Sequence, residues 1–184
     1  MTDPTFKLVV LDRDGVINQD SRAFVKSAEE WLPLPGSIDA IAALSNAGFA
    51  VAVASNQSGL ARGLFDEAAL RAMHQKLREL VIAAGGCVDH IVYCPHGPDA
   101  DCDCRKPKPG LLQQIGVHFD HDMADVPFIG DTLRDLEAAR SIGARPILVR
   151  TGNGVSAAES LPLYLSDVEI YDDLAAAVAA LIAE

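Results

Sequence analysis

The sequence is short of aromatic residues, of long hydrophobic runs and of positive charge. Aromatic residues make up 5% of the 184 residues while 49% are hydrophobic, which predicts an aliphatic core. No apolar run is long enough to cross a membrane, and the first one, residues 8–11, is too short for a signal peptide. The formal net charge of −11 disfavours nucleic acid or an anionic membrane as a partner. We therefore expect a cytoplasmic monomer that meets any anionic substrate with a local basic patch.

Short apolar runs rich in β-branched residues alternate with amphipathic stretches, a pattern typical of an α/β protein with a mainly parallel sheet. The length suits one domain spanning residues 1–184, and no repeat or linker divides it. The predicted strands are residues 6–11, 49–54, 88–93, 126–130, 146–150 and 168–170. The predicted helices are 37–46, 110–118, 133–142 and 172–182, with another through Leu70, Met73, Leu77 and Leu80 that stops at Gly85-Gly86.

Polar residues directly follow three of the predicted strands, at residues 12–14, 55–57 and 131–132. Ligands of an open parallel sheet bind beyond the carboxyl ends of its strands. Asp12, Asp14 and Asp131 would place carboxylates there, and Mg²⁺ prefers carboxylate and carbonyl oxygens. By itself, Asp-x-Asp-Gly is equally typical of a polar turn.

Ser55, Arg105 and Lys106 could supply a hydroxyl and two cations to a phosphoryl group. Taken alone, Ser55 is as well explained as a helix or turn cap, and the two basic residues as a solvated charge pair. Asp135 lies in the first turn of a predicted helix, where we interpret it as stabilising the helix end electrostatically.

Together the motifs DRDG, SNQSG, RKPKPG and IGDTLRD resemble, in order, those of the haloacid-dehalogenase superfamily over roughly the first 140 residues. More narrowly, they are similar to the branch that contains heptose-bisphosphate and histidinol-phosphate phosphatases. The resemblance implies a Rossmann-like three-layer sandwich without a large cap domain. The roles it implies are nucleophile for Asp12, general acid and base for Asp14, phosphoryl stabilisation for Ser55 and Lys106, magnesium coordination by Asp12, Asp14 and Asp131, and substrate recognition for Arg105.

Three cysteines and one histidine lie within eleven positions: Cys94, His96, Cys102 and Cys104. This Cys₃His set suits tetrahedral Zn²⁺, and a site closed by four protein ligands is structural. The resembled branch also carries a zinc-bound loop insertion here. Unrelated thiols are the alternative. Cys87 is expected to be a small buried hydrophobe, and no chemistry is assigned to His74, His90, His118 or His121.

Within the branch, residues 18–21, 58–63 and 106–110 resemble the heptose enzymes, which favours hydrolysis of the 7-phosphate of D-glycero-D-manno-heptose 1,7-bisphosphate in heptose precursor synthesis. The spacer between His96 and Cys102 instead matches the histidinol-phosphate type, so that substrate is the alternative. A non-catalytic zinc-stabilised binding module is a third. The substrate contacts implied by the resemblance are Asp20, Ser21, Arg22, Ala23, Asn56, Gln57, Ser58, Arg62, Arg105 and Thr132.

Residues 152–157 formally match a dinucleotide-binding fingerprint. They follow the fifth predicted strand, whereas that fingerprint opens a first βαβ unit. We therefore predict a turn at this position and no nucleotide site.

Overall fold

A computed structural model describes residues 6–184 as an α/β protein with one sheet of six parallel strands. The strands are β1 Lys7–Leu11, β2 Phe49–Asn56, β3 His90–Cys94, β4 Pro127–Gly130, β5 Arg145–Val149 and β6 Glu169–Tyr171. Their order across the sheet is β3-β2-β1-β4-β5-β6. The predicted six strands and the parallel sheet are confirmed, with ends shifted by one or two residues.

Helices cover both faces of the sheet because its central strands are apolar on both sides. The helices are α1 Ser37–Asn46, α2 Glu67–Ala83, α3 Gly110–Phe119, α4 Leu133–Ser141, α5 Gly154–Glu159 and α6 Leu174–Ala183, with a 3₁₀ turn at Leu163–Leu165. On β1, Val9 and Leu11 belong to a core shared with α1, α2 and α6. Leu8 and Val10 belong to a second core shared with α3 and α4. The predicted three-layer sandwich is confirmed.

The turn predicted for residues 152–157 is wrong over most of its length. The turn occupies residues 151–153, and helix α5 begins at Gly154. Gly152 has a φ of +57°, the left-handed conformation that glycine tolerates, and it completes the turn. Buried Gly154 and Ala157 then pack the short helix onto the protein, a tertiary contact that the glycine-rich sequence did not reveal.

The direction of chain winding reverses between β1 and β4. The chain first moves outward from β1 to β2 and β3, then returns to add β4 on the other side of β1. The backbone N–H of Asp12 donates to the carbonyl of Ile129 at 2.9 Å, so the ends of β1 and β4 lie side by side. Ligand sites of open α/β sheets form at such a reversal. No helix in the described part of the chain is long and apolar enough to cross a membrane.

Candidate active site

A cleft of about 350 Å³ lies over the carboxyl ends of the strands at this reversal. It brings together residues that are far apart in the sequence. Of the residues predicted to contact substrate or the catalytic cation, all but Ala23 line it. Those lining residues are Asp12, Asp14, Asp20, Ser21, Arg22, Ser55, Asn56, Gln57, Ser58, Arg62, Arg105, Lys106, Asp131 and Thr132. Ala23 lies beside it in the loop, where its N–H donates to the Ser21 hydroxyl.

Lys106 lies at the bottom of the cleft and is only 2% exposed. Its Nζ is 2.8 Å from Oδ1 of Asp12 and 2.6 Å from Oδ1 of Asp135, and it donates to the carbonyl of Ala54 at 2.9 Å. Burial lowers the pKa of Lys106, but the two carboxylates outweigh burial and raise that pKa above its ordinary value. The ammonium group therefore stays charged and fixes both carboxylates.

Asp12, Asp131 and Asp135 are buried, and one carboxylate oxygen from each lies within 4.8 Å of the other two. We call these three residues and Lys106 the carboxylate centre. Burial, and then the charge of Asp135, raises the pKa of Asp12 well above its ordinary value and that of Asp131 to about 7. Three carboxylates face one ammonium group. The excess negative charge and the all-oxygen donor set fit a divalent cation such as Mg²⁺.

Asp135 occupies the place in this group that the sequence analysis gave to the carboxylate of Asp14. Its Oδ2 accepts hydrogen bonds from the backbone N–H of Thr132 at 3.0 Å and from the Thr132 hydroxyl at 2.7 Å. Asp135 thus stabilises the start of α4, as expected, while its Oδ1 pairs with Lys106. The Asp14 carboxylate lies outside the group, so a contact from Asp14 to the cation stays a prediction.

The Asp14 carboxylate is held by three neighbouring side chains. Nη2 of Arg13 and Nδ2 of Asn18 donate to its Oδ1, each at 2.9 Å. Nε2 of Gln57 donates to its Oδ2 at 2.8 Å. Burial raises the pKa of Asp14, but the Arg13 charge and these hydrogen bonds outweigh burial and lower that pKa below its ordinary value. Asp14 is therefore a carboxylate that can accept a proton.

Two amides at the end of β2, Asn56 and the next residue Gln57, organise the residues around the carboxylate centre. Gln57 donates from the same Nε2 to the Ser55 hydroxyl at 2.8 Å, so it links Ser55 to Asp14. Asn56 accepts from the backbone N–H of Lys106 and donates to its carbonyl, both at 3.1 Å. Both side chains were predicted as substrate contacts. The structure gives Gln57 and Asn56 neighbours within the protein, and their contact with substrate stays a prediction.

The four sulfur and nitrogen ligands form a second compact group, which we call the thiol centre: Cys94, His96, Cys102 and Cys104. The Sγ atoms of Cys94 and Cys104 are 3.0 Å apart, those of Cys94 and Cys102 are 3.8 Å apart, and Nδ1 of His96 is 3.3 Å from Sγ of Cys104. Ligands of a tetrahedral zinc with bonds of about 2.3 Å are themselves separated by about 3.8 Å. The donor set fits zinc, and one ligand atom from each of the four residues lies within 4.8 Å of the others, while the Sγ atoms of Cys94 and Cys104 are closer together than they would be around the ion.

Burial raises the pKa of the Cys94 and Cys104 thiols, whereas at Cys102 hydrogen bonds outweigh burial and lower the pKa. Burial, followed by the hydrogen bonds that the Cys104 thiol makes to Cys94 and Cys102, raises the pKa of Cys104 to about 12. A bound cation would reverse this effect because metals bind the thiolate. The next residue, Arg105, donates to the carbonyl of His96 at 3.2 Å, so the thiol centre also orients a guanidinium group that lines the cleft.

Three of the five arginines that line the cleft, Arg62, Arg105 and Arg134, lie close enough for their charges to interact. Burial lowers the pKa of Arg105, and the positive charges of Arg134 and Arg62 contribute to the lowering. Among residues 6–184, none of the three guanidinium groups has a carboxylate within 4.0 Å. Clustered cations without acidic partners indicate an anion-binding rim. Sequence reasoning missed Arg134, although it lies within the fourth motif, in the first turn of α4.

The loop after β5 was also missed as part of the site. Thr151 donates to the carbonyl of Gly15 at 2.6 Å, and Asn153 donates to Asp131. Gly15 and Gly152 have positive φ, and a Cβ on either residue would strike the Asp131 carboxylate. The glycine-rich segment that resembles a dinucleotide fingerprint therefore permits close approach to a carboxylate, and that density of glycine was the available signal.

Comparisons with known proteins agree with this geometry. The HAD-hydrolase-like family model matches residues 103–177. A D-glycero-beta-D-manno-heptose-1,7-bisphosphate 7-phosphatase from Pseudomonas aeruginosa is 57% identical over 176 residues, covering 95% of this chain and 97% of that protein. A second protein of the same name, from Bordetella bronchiseptica, is 53% identical and covers 97% of this chain and 99% of its own length.

Solved structures give the same result. The crystal structure of D,D-heptose 1,7-bisphosphate phosphatase from B. bronchiseptica, complexed with magnesium and phosphate, has a TM-score of 0.92 at 52% identity and covers 97% of this chain and 99% of that one. The corresponding enzyme from Burkholderia thailandensis has a TM-score of 0.75 at 42% identity, with 97% and 99% covered. The order of the motifs, the site built from them and these relatives agree: the chain belongs to the haloacid-dehalogenase superfamily, in the family of the D-glycero-β-D-manno-heptose-1,7-bisphosphate 7-phosphatases.

Proposed function

We propose that this protein hydrolyses the 7-phosphate of D-glycero-β-D-manno-heptose 1,7-bisphosphate through an aspartyl-phosphate. The observation that carries the proposal is the position of Asp12, which directly follows β1, lines the cleft and is paired with Lys106 at 2.8 Å. The name shared by relatives at 57% and 53% identity supports the substrate and its anomer.

Asp12 is the proposed nucleophile. Its carboxylate oxygen attacks phosphorus, the ester P–O bond breaks, and Asp14 gives a proton to the departing alkoxide. In the second half Asp14 takes a proton from water, which attacks the aspartyl-phosphate and releases phosphate and free Asp12. The lowered pKa of Asp14 means that its carboxylate is ionised in the free protein, so Asp14 takes up a proton from solvent as the anionic substrate binds and gives that proton to the alkoxide; the ionised form is then restored for the second half. Lys106 and Ser55 stabilise the negative charge of the transferring group.

Two metal ions belong to the proposal. Asp12, Asp131 and Asp135 offer carboxylates to Mg²⁺, with Asp14 as a further contact, and the ion would neutralise phosphoryl charge as Lys106 does. The thiol centre would hold a structural Zn²⁺, because thiolates and imidazole select a softer metal than carboxylates do. The solved relative with magnesium and phosphate supports the assignment of Mg²⁺.

The anion-binding rim formed by Arg62, Arg105 and Arg134 is proposed to bind the phosphate that is not hydrolysed. Arg62 and Arg134 are exposed and Arg105 is half-buried, so their guanidinium groups are available to an anion at the mouth of the cleft. A guanidinium binds phosphate oxygens through charge-assisted hydrogen bonds. Histidinol phosphate has only one phosphate, which is held at Asp12, and its amine would be repelled by the rim. This argument favours the bisphosphate.

A specificity panel tests the substrate. Both anomers of the heptose bisphosphate and histidinol phosphate are compared by kcat/KM, and the β-bisphosphate should be preferred. Arg134→Ala should raise KM for the bisphosphate about tenfold, the cost of one charge-assisted hydrogen bond, and should not raise KM for a small monophosphate. Arg71→Ala, on the exposed surface of α2 and away from the cleft, is the control.

The competing functions give different results in the same panel. Efficient hydrolysis of histidinol phosphate with poor heptose turnover would replace the substrate and retain the phosphatase. No phosphate release from any substrate by zinc-loaded protein with added Mg²⁺ would favour the non-catalytic binding module. The side chains in the cleft argue against that module, because a nucleophile, an acid–base group and a lysine all lie there.

Oligomeric state, location and domain organisation complete the proposal. We propose one domain over residues 1–184, acting as a cytoplasmic monomer in heptose precursor synthesis. The three thiols gathered beside His96 support a reducing compartment, since metal-binding cysteines must stay reduced. Light scattering of the purified protein would test the monomer, and fractionation of the producing cells would test the location.

A further inference from the structure

The Asn153 side chain lies where a helix cap is expected but makes no cap. Asn153 is the residue before α5, a position at which asparagine usually accepts a hydrogen bond from the helix backbone. Its side chain makes no such bond. Instead, Nδ2 donates to Oδ2 of Asp131 at 3.2 Å and to Oδ2 of Asp20 at 3.0 Å. The amide is therefore placed between two carboxylates that are more than a hundred positions apart in the sequence.

The contact with Asp131 fixes the rotation of its carboxylate. Oδ2 of Asp131 also accepts the backbone N–H of Asn153 at 2.8 Å. Gly15 and Gly152 close around the same oxygen, because a Cβ on either glycine would strike it. Because Oδ2 is enclosed in this way, the rotation of the Asp131 carboxylate is restricted where it meets Asp12 and Asp135. Outer partners of this kind orient metal-binding carboxylates and raise their affinity.

The contact with Asp20 extends this link to the loop that precedes α1. Asp20 and Ser21 line the cleft, and Asp20 is exposed to solvent. Its carboxylate accepts hydrogen bonds from the Ser21 N–H and from Asn153. The loop that carries Asn153 is itself anchored, since Thr151 donates to the carbonyl of Gly15. One fixed amide thus joins the magnesium-binding carboxylate to the substrate loop.

We propose that Asn153 is a positioning residue that links occupation of the magnesium site to ordering of the substrate loop at residues 20–25. It acts through Asp131 and Asp20 and takes no part in bond making. Asn153 contacts both carboxylates without the ion, so an ion held by Asp131 would stabilise the same arrangement and, through Asn153, the position of Asp20. The kinetic part of this inference rests on the proposed function, while its metal-binding and loop-ordering parts do not.

The test uses the full chain with zinc retained and magnesium removed by mild chelation. Asn153→Ser keeps a residue that caps helices well but is too short to reach either carboxylate. The Kd for Mg²⁺ measured by calorimetry should rise about tenfold, which is at the low end of the effect of losing a residue that orients a metal ligand. The effect is small because the backbone N–H of residue 153 still donates to Asp131. Mg²⁺ should slow hydrogen exchange at residues 20–25 in the wild type but not in the variant. KM for the substrate should rise while kcat at saturating Mg²⁺ stays within about threefold.

Two further variants make the result decisive. Ser156→Ala, an exposed position on the same helix, should behave as wild type. Asp20→Ala breaks the link from the other side without touching α5. It should accelerate loop exchange at least as much as Asn153→Ser, because it also removes the hydrogen bond from the Ser21 N–H, and adding Asn153→Ser to it should have no further effect. The inference would be overturned if Asn153→Ser bound Mg²⁺ and exchanged its loop amides as the wild type does. It would also be overturned if the increases in loop exchange of the two single variants added in the double variant. Failure to hydrolyse the heptose bisphosphate would leave these substrate-free measurements unaffected.

Discussion

The carboxylate centre and the thiol centre are neighbours in the chain but are built in opposite ways. The thiol centre takes its four ligands from residues 94–104, and three of them lie in one irregular loop that is partly exposed. The carboxylate centre takes Asp12, Lys106, Asp131 and Asp135 from three separate segments, all of them buried. A centre made from one segment can form wherever that segment folds. A centre made from three segments exists only when the sheet has closed.

The two centres are joined by three consecutive residues, 104–106. Cys104 belongs to one, Lys106 to the other, and Arg105 between them lines the cleft. Asn56 holds the backbone of Lys106 from β2, so the ammonium group is positioned from both sides. We therefore expect substitutions in the carboxylate centre to abolish catalysis. Substitutions in the thiol centre should instead increase the mobility of the segment that positions Lys106.

The largest expected effect is loss of the nucleophile. Asp12→Asn should reduce kcat by about 10⁴-fold, as for other nucleophile deletions, because an amide cannot form the aspartyl-phosphate. The fold should survive, since burial already raises the pKa of Asp12 and a neutral side chain suits that site. Steady-state kinetics and thermal melting measure both. Asp39→Asn, an exposed residue of α1, is the control. Near-normal turnover by a folded Asp12→Asn protein would refute the mechanism.

Removal of the ammonium group should have the next largest effect. Lys106→Ala should lower kcat by about 10²- to 10³-fold, the usual cost of one group that stabilises transition-state charge. It should also lower the melting temperature, because Asp12 and Asp135 are left facing each other without their shared cation. Lys108→Ala is the matched control, since Lys108 is exposed and pairs only with exposed Asp101 and Asp103. Equal effects of the two variants would show that Lys106 has no special role.

Breaking the thiol centre should have a smaller effect on chemistry and a clear effect on stability. Cys102→Ser or Cys104→Ser should lose zinc, lower the melting temperature and reduce kcat/KM about tenfold, mainly through KM. Metal analysis, melting and kinetics on the same samples would show this. The prediction that Cys87 is buried is wrong, because Cys87 is exposed just before β3. Cys87→Ser therefore removes an exposed cysteine outside the centre and should change none of these values. Purified active wild type without zinc would mean that the four ligands have another purpose.

The smallest effect is a pH dependence confined to the carboxylate centre. Burial and Asp135 raise the pKa of Asp131 to about 7, so below that pH the metal-free carboxyl holds a proton that Mg²⁺ must displace. The apparent affinity for Mg²⁺ should therefore fall by up to about tenfold per pH unit as the pH drops below 7. Titration calorimetry at several pH values measures it. An affinity that is constant from pH 7 to pH 5.5 would contradict the raised pKa.

Much of the fold could be predicted because its signals are local. The bounds of α1 were predicted as observed, since its apolar spacing is regular between Gly36 and Gly48. All six strands were predicted, because buried parallel strands read as short apolar runs. Helix α5 was not, because it has six residues and begins with the glycine that also suggested a turn.

Residue types and their spacing were enough to identify candidate catalytic and metal-binding residues. The four ligands of the thiol centre were identified from spacing, and the order of four motifs pointed to the family. Which side chains contact one another depended on how the segments pack in three dimensions. That packing placed Asp135 with Asp12 and Asp131, turned Gln57 and Asn56 toward protein partners, and brought Arg134 and Asn153 to the cleft. Those relations depend on the directions of side chains from different strand ends, and such directions exist only once the segments have packed together.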